Sequence, residues 1–154
     1  PTEGPFSENH FQKVAEPGRV SESGSSLSNV IDMEQTLESD SVGKWLGVTL
    51  ESAEPVQLSM MIGEQHTNFY GTTHGGVVFS LADVAMSLAA NAEVRAVAID
   101  AHIVFQAASR PGDRLRVAVE QMSTSRRLGS CRATVDGPAG QIASFTGTCY
   151  RPPS

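Results

Sequence analysis

From Gly75 to Ala92 the chain reads GGVVFSLADVAMSLAANA, and the only charged residue in that run is Asp83. A helix this apolar on nearly every side has to be buried. Whatever else the chain folds into must therefore wrap around it. The carboxylate adds a second constraint. A buried ionised carboxylate costs several kcal/mol, or shifts its pKa, unless something compensates it. Asp83 is thus either a structural oddity or the working group of a site. The run is interrupted by Ser80, Asp83, Ser87 and Asn91, so it does not read as a membrane span.

The flanking sequence supplies the wrapping. VTLES and VQLSMMI read as two strands around a turn at Glu54-Pro55. After the helix come four more strand-like runs, 96–106, 113–123, 127–136 and 141–150. SRPGD, STSR and DGPAG separate them, all with good turn chemistry. In the first run Val97, Ile99, Ala101, Ile103 and Phe105 alternate with a mixed face holding Asp100 and His102. That alternation suits an antiparallel sheet with one face on a core. The expected fold is α+β: a six-stranded antiparallel sheet, joined as a meander, curled around one long central helix. Residues 29–46 read as one or two short helices ending near Gly47. Residues 1–28 are rich in Ser, Gly, Glu and Pro without any period and read as a mobile extension, leaving 29–154 as the single domain.

The helix keeps one polar stripe. Ser80, Asp83, Ser87 and Asn91 are spaced three, four and four, so they share a face. At its start His74 stands at or near the cap and Gly75-Gly76 form the first turn. The first amides of a helix lack internal partners and favour negative charge. Two glycines leave them open to close approach, and such an amide can stabilise an oxyanion, although the glycines alone could equally serve a tight turn. Gly75 and Asp83 are eight residues apart, about 12 Å along a helix. A base and an oxyanion donor must both reach within about 3 Å of the reacting group or its water. One helix cannot satisfy both, whereas two antiparallel helices across a two-fold axis can. If both groups act on one carbonyl, the chain works as a dimer at least.

Charge narrows the partners. The net charge is −6, with eleven acids and three bases in residues 1–64, against eight bases and four acids in 95–154. A net acidic chain is a poor general binder of nucleic acid. The basic C-terminal half could hold a small polyanion or simply be a solvated set of strand arginines. Cys131 and Cys149 form no CxxC and suit a reduced compartment, so a cytoplasmic, non-membrane protein is expected. No GxSxG, P-loop, GxGxxG or HExxH is present, and His10, His66, His74 and His102 show no metal-ligand spacing. His66 and His102 read as plain surface or sheet residues.

Asn68, His74-Gly75-Gly76 and Leu81-Ala82-Asp83 together spell N-x5-HGG-x4-LAD, with Arg110-Pro111-Gly112 at a later turn. In these motifs, and in its strand order, the chain over about residues 45–150 resembles the hotdog-fold acyl-CoA thioesterases of the phenylacetate-pathway PaaI type. The resemblance implies hydrolysis of an acyl-CoA thioester without metal or organic cofactor, by dimers that pair their sheets and often associate as tetramers. It implies Asp83 as base or nucleophile and Gly75 as the oxyanion amide. Asn68 would position water or thioester, and His74 would shape the loop. Ser87, one turn beyond Asp83 on its face, would be a second water contact. Where some relatives carry a catalytic hydroxyl on the strand after the helix, this chain has Ala98. Gly76, Arg126 and Arg127 are expected to contact substrate, the two arginines through the CoA phosphates. Two other classes remain open from sequence: an acyl-CoA-binding hotdog protein without turnover, and an enoyl-thioester hydratase.

Overall fold

A computed structural model describes residues 32–153; the extension 1–28 and the start of the 29–46 helical segment lie outside the described residues. Two short helices open the fold, α1 (Met33–Ser39) and α2 (Ser41–Leu46). Asp32 caps α1 by accepting from the Gln35 N–H at 3.1 Å, and Asp40 caps α2 by accepting from the Gly43 N–H at 2.6 Å. Gly47 ends α2 in the left-handed region at φ 65°. Strands β1 (Thr49–Ala53) and β2 (Val56–Met61) form a hairpin. A loop then leads to the long helix α3 (Gly75–Asn91). Strands β3 (Val97–Phe105), β4 (Arg114–Thr124), β5 (Leu128–Gly137) and β6 (Gly140–Tyr150) complete the chain.

The six strands make one antiparallel sheet in the order β1-β2-β4-β5-β6-β3. The expected meander therefore holds only for β4-β5-β6. β3 leaves α3 for the far edge beside β6, and the chain returns to pair β4 with β2. The link 106–113 makes this crossing, since eight residues easily outreach three strand spacings of about 4.8 Å.

Leu81, Ala82, Ala85 and Met86 of α3 are fully buried against Leu58, Leu115, Ala133 and Phe145 of the sheet. The contact is close enough that a Cβ on Gly147 would collide with Met86 Sδ, so the Met86 side chain would have to shift to admit one. Met86 is buried by β6 on one side of the helix, while Ser80, Asp83, Ser87 and Asn91 on the polar stripe are only half-buried.

The expected alternation along β3 is broken. Ile99 is an extra residue at a bulge between Ala98 and Asp100. Beyond it Ala101, Ile103 and Phe105 sit opposite the inward residues Gly147, Phe145 and Ala143; before it Ala98, not Val97, sits opposite inward Cys149. Among the described residues β3 is an edge strand with one unpaired side, and it leaves Ile99, Val104 and Phe105 about half exposed. An exposed apolar edge of this kind is a template for another strand.

Candidate active site

The helix start is delivered by the loop 63–74. His74 caps α3: its N–H donates to the His66 carbonyl at 2.8 Å, and its Nδ1 accepts from the Gly76 N–H at 2.9 Å. The Val77 N–H donates to the His74 carbonyl at 2.9 Å. Among the first-turn amides, Gly75 N–H has no hydrogen-bond partner among the described residues. It lies on a cleft of about 350 Å³ bounded by Thr73, Val78, Phe105, Ser109 and Ile142. The Phe105 ring lies so close that a Cβ on Gly75 would stand 3.1 Å from its Cζ. Glycine here therefore serves close packing by an aromatic ring as well as access to the amide. Gly76, in contrast, spends its amide on His74.

Asn68 is drawn into its own loop. Its Oδ1 accepts from the Tyr70 N–H at 2.9 Å and the Thr72 N–H at 3.3 Å, and its Nδ2 donates to Thr72 Oγ1 at 3.0 Å. This turn shapes the approach to the helix. One of the two Nδ2 hydrogens is left for a further acceptor.

Asp83 lies two turns into α3, so one helix holds it and Gly75 about 12 Å apart along the axis. Burial raises its carboxyl pKa above the usual aspartate range, and the Asp40 carboxylate adds to the rise. Cys131 and Cys149 lie close enough to feel its charge. Burial, Cys149 and Asp83 push the Cys131 thiol up to about 11, against a Gly147 backbone hydrogen bond. Cys149 is raised by burial and Asp83, partly offset by Arg151. Both are thus held further toward the thiol form than an ordinary cysteine. Ser87 is half-buried one turn beyond Asp83, and its carbonyl accepts from Asn91 Nδ2 at 2.9 Å. Asn91 also bridges Ala96, tying the end of α3 to the start of β3.

Arg126 and Arg127 form the β4–β5 turn, where Arg127 reaches Tyr150 Oη at 3.4 Å. Arg151 joins them: its N–H donates to the Arg127 carbonyl at 2.8 Å, and its Nη1 contacts the Ser125 carbonyl at 3.5 Å. This cluster sits at the Val97–Tyr150 end of the sheet, whereas Gly75 sits at the Phe105–Ala143 end. Within one chain the arginines and the helix start are thus at opposite ends of α3. Among the described residues no three of His, Cys, Asp and Glu converge as metal ligands.

Three features escaped sequence reasoning. Arg151 stands after the last strand with no motif around it. Phe105 meets Gly75 only through the fold. His66, read as a surface or sheet residue, is 2% exposed. Its neighbours Glu64 and Gln65 are exposed, so no local pattern marks it.

Residues 70–140 match the model of the thioesterase superfamily. A provisionally named esterase of Deinococcus radiodurans is 36% identical over 118 residues, which cover 74% of this chain and 81% of that protein. This chain belongs to the thioesterase superfamily. Its fold is that of the PaaI protein from the phenylacetic acid degradation operon of E. coli, with a TM-score of 0.75, 26% identity and coverage of 79% of this chain and 91% of that one. Mouse acyl-coenzyme A thioesterase 13 is 31% identical over 86 residues, 53% of this chain and 61% of that protein. The chain is a PaaI-like hotdog thioesterase, with α3 as the core helix and the six-stranded sheet around it. No helix among the described residues is long and apolar enough to cross a membrane.

Proposed function

We propose that this thioesterase hydrolyses acyl-CoA thioesters with a water activated by Asp83 of one chain, on a carbonyl held by the Gly75 amide of another. The observation that carries the reading is the open Gly75 N–H at the start of a buried helix, beside a cleft, with the one carboxylate of that helix two turns away. Ionised Asp83 takes a proton from water, and the hydroxide attacks the thioester carbon. Negative charge develops on the carbonyl oxygen, where the Gly75 amide and the positive end of the helix dipole meet it. Collapse breaks the carbon–sulfur bond, and the proton on Asp83 returns to the departing thiolate. The spare Nδ2 hydrogen of Asn68 suits a contact to the water or thioester, His74 holds the loop, and Ser87 is a second contact to the water.

The β3 edge supplies the route to a shared site. Antiparallel pairing of two β3 edges across a two-fold axis reverses one chain relative to the other. The Phe105 end of one then lies beside the Val97 end of its partner, and Gly75 faces the partner's arginine cluster. CoA phosphates on Arg126 and Arg127, with Gly76 near the thioester, follow from that arrangement. The assembly is a dimer at least, with a tetramer of paired dimers in keeping with the fold. The experiment is turnover of aryl and straight-chain acyl-CoAs with a thiol reagent. One thiol should be released per acid formed, and the Arg126→Ala/Arg127→Ala double variant should raise KM while leaving kcat largely intact. Tight binding of every ester without thiol release would leave a binding protein. Consumption of an enoyl ester without thiol release would leave a hydratase.

A further inference from the structure

Of the twelve residues 63–74, only His66 and Thr73 are buried. Thr73 is tied to the β3–β4 link: its N–H donates to the Ser109 carbonyl at 2.8 Å, and Ser109 Oγ donates to Thr73 Oγ1 at 2.6 Å. His66 is the other anchor, and it grips the loop through three different groups. Its Nδ1 accepts from the Gly63 N–H at 3.0 Å. Its own carbonyl accepts from the His74 N–H at 2.8 Å. Its ring stands edge-on to Trp45 of α2, with centroids 5.7 Å apart and planes at 88°. Because Nδ1 is the acceptor, the neutral ring carries its hydrogen on Nε2. That Nε2 is buried without a hydrogen-bond partner among the described residues. A polar edge left unsatisfied in the interior is costly, and a hydrocarbon side chain would fill the space without that cost. Of the two ring nitrogens only Nδ1 is used, and it ties Gly63 to the loop that leads to the helix start.

The peptide bond joining His74 to Gly75 carries the open amide. Its position is set by the His74 N–H bond to His66 on one side and the Thr73 pair on the other. We propose that His66 is a positioning residue for the thioesterase reaction: its buried imidazole, by holding the Gly63 N–H, fixes the His66 carbonyl that receives the His74 N–H and so aims the Gly75 amide at the thioester carbonyl. The inference rests on the function proposed above. It separates from it because the aim of the amide governs the chemical step rather than the binding of CoA.

An oxyanion contact strengthens as charge develops, so its misalignment lowers kcat with KM little changed. A displacement of 1 Å at such a group can cost about 10²-fold, so a fall in kcat of about 10- to 100-fold is expected for His66→Leu. Asn and Gln then discriminate position from packing. The amide oxygen of Asn falls where Nδ1 was and can accept from Gly63, whereas that of Gln falls near Nε2. His66→Asn should return most of kcat, and His66→Gln should not. Hydrogen exchange provides a readout independent of turnover: the Gly63 and His74 amides should lose protection in His66→Leu and His66→Gln and keep it in His66→Asn. If wild-type protein released no thiol from any acyl-CoA, the proposed function would fail, while the exchange pattern would still decide whether His66 holds the helix start. If His66→Leu does not fold, the Asn and Gln variants carry the comparison. Equal kcat in those two variants, a loss expressed in KM instead, or unchanged exchange would overturn the assignment.

Discussion

At the scale of single residues the sharpest consequence concerns the proton on Asp83. Burial and Asp40 raise its carboxyl pKa, so the folded state favours the neutral acid more than the unfolded chain does. By linkage, stability from this group is fully present below its unfolded pKa and is lost as pH rises through the folded value. At neutral pH the ionised carboxylate therefore opposes folding. Asp83→Asn should melt no lower than wild type at pH 7, and the difference should close as pH falls through the carboxylate range. Activity runs the other way. In the proposed mechanism the base must be ionised, so the acid limb of kcat/KM should lie above the usual aspartate range, and the Asn variant should lose about 10²–10⁴-fold in turnover. Thermal melts across pH, alongside a pH–rate profile, measure both. Near-wild-type turnover in Asp83→Asn would remove the carboxylate from the mechanism.

At the scale of elements, the start of α3 and the end of β3 are one unit, since the Phe105 ring packs on Gly75. Gly75→Ala puts a methyl 3.1 Å from Phe105 Cζ, so either the ring or the helix start must shift. The variant should stay folded, because the ring is half exposed and can give way, yet lose kcat by about tenfold or more through the displaced amide. Adding Phe105→Leu to Gly75→Ala should recover part of that loss, and a double-mutant cycle on kcat reads the coupling. Strictly additive effects would show that the two elements do not act together. The same pair marks what the sequence could disclose. Helix α3, from Gly75 to Asn91, was legible because an apolar run and a His-Gly-Gly start are local signals. The strands were legible from alternation and turn residues, within a residue or two at each end. The neighbour of β3 was not, because strand pairing depends on how the sheet closes over α3 and not on the length of the 106–113 link. Nor was the bulge at Ile99, since one apolar residue among several leaves the pattern unchanged on paper while reversing the faces of Val97 and Ala98. His66 was missed for a related reason: its burial is imposed by α2 and by the loop it supports, and its immediate neighbours are polar.

At the scale of the whole molecule, a single chain keeps its helix start and its arginine cluster at opposite ends, with Asp83 between them and out of reach of Gly75. The proposed reaction then needs two chains, and mixing variants tests that need. An Asp83→Asn chain and an Asn68→Ala chain should each be nearly inactive alone, the first without its base and the second without the side chain that locks the 68–72 turn. In a mixed dimer with shared sites, one site receives both lesions. The other combines the intact loop of the first chain with the intact carboxylate of the second. Random exchange of equal amounts makes half the dimers mixed, and each has one sound site of two. About a quarter of wild-type activity per total site should therefore return, with sites acting independently. A site confined to one chain predicts no recovery, because every chain carries a lesion. Mass spectrometry of differently tagged chains verifies that exchange has occurred. Confirmed exchange without recovered turnover would place Asp83 and the helix start of the same chain in one site, against the geometry of α3.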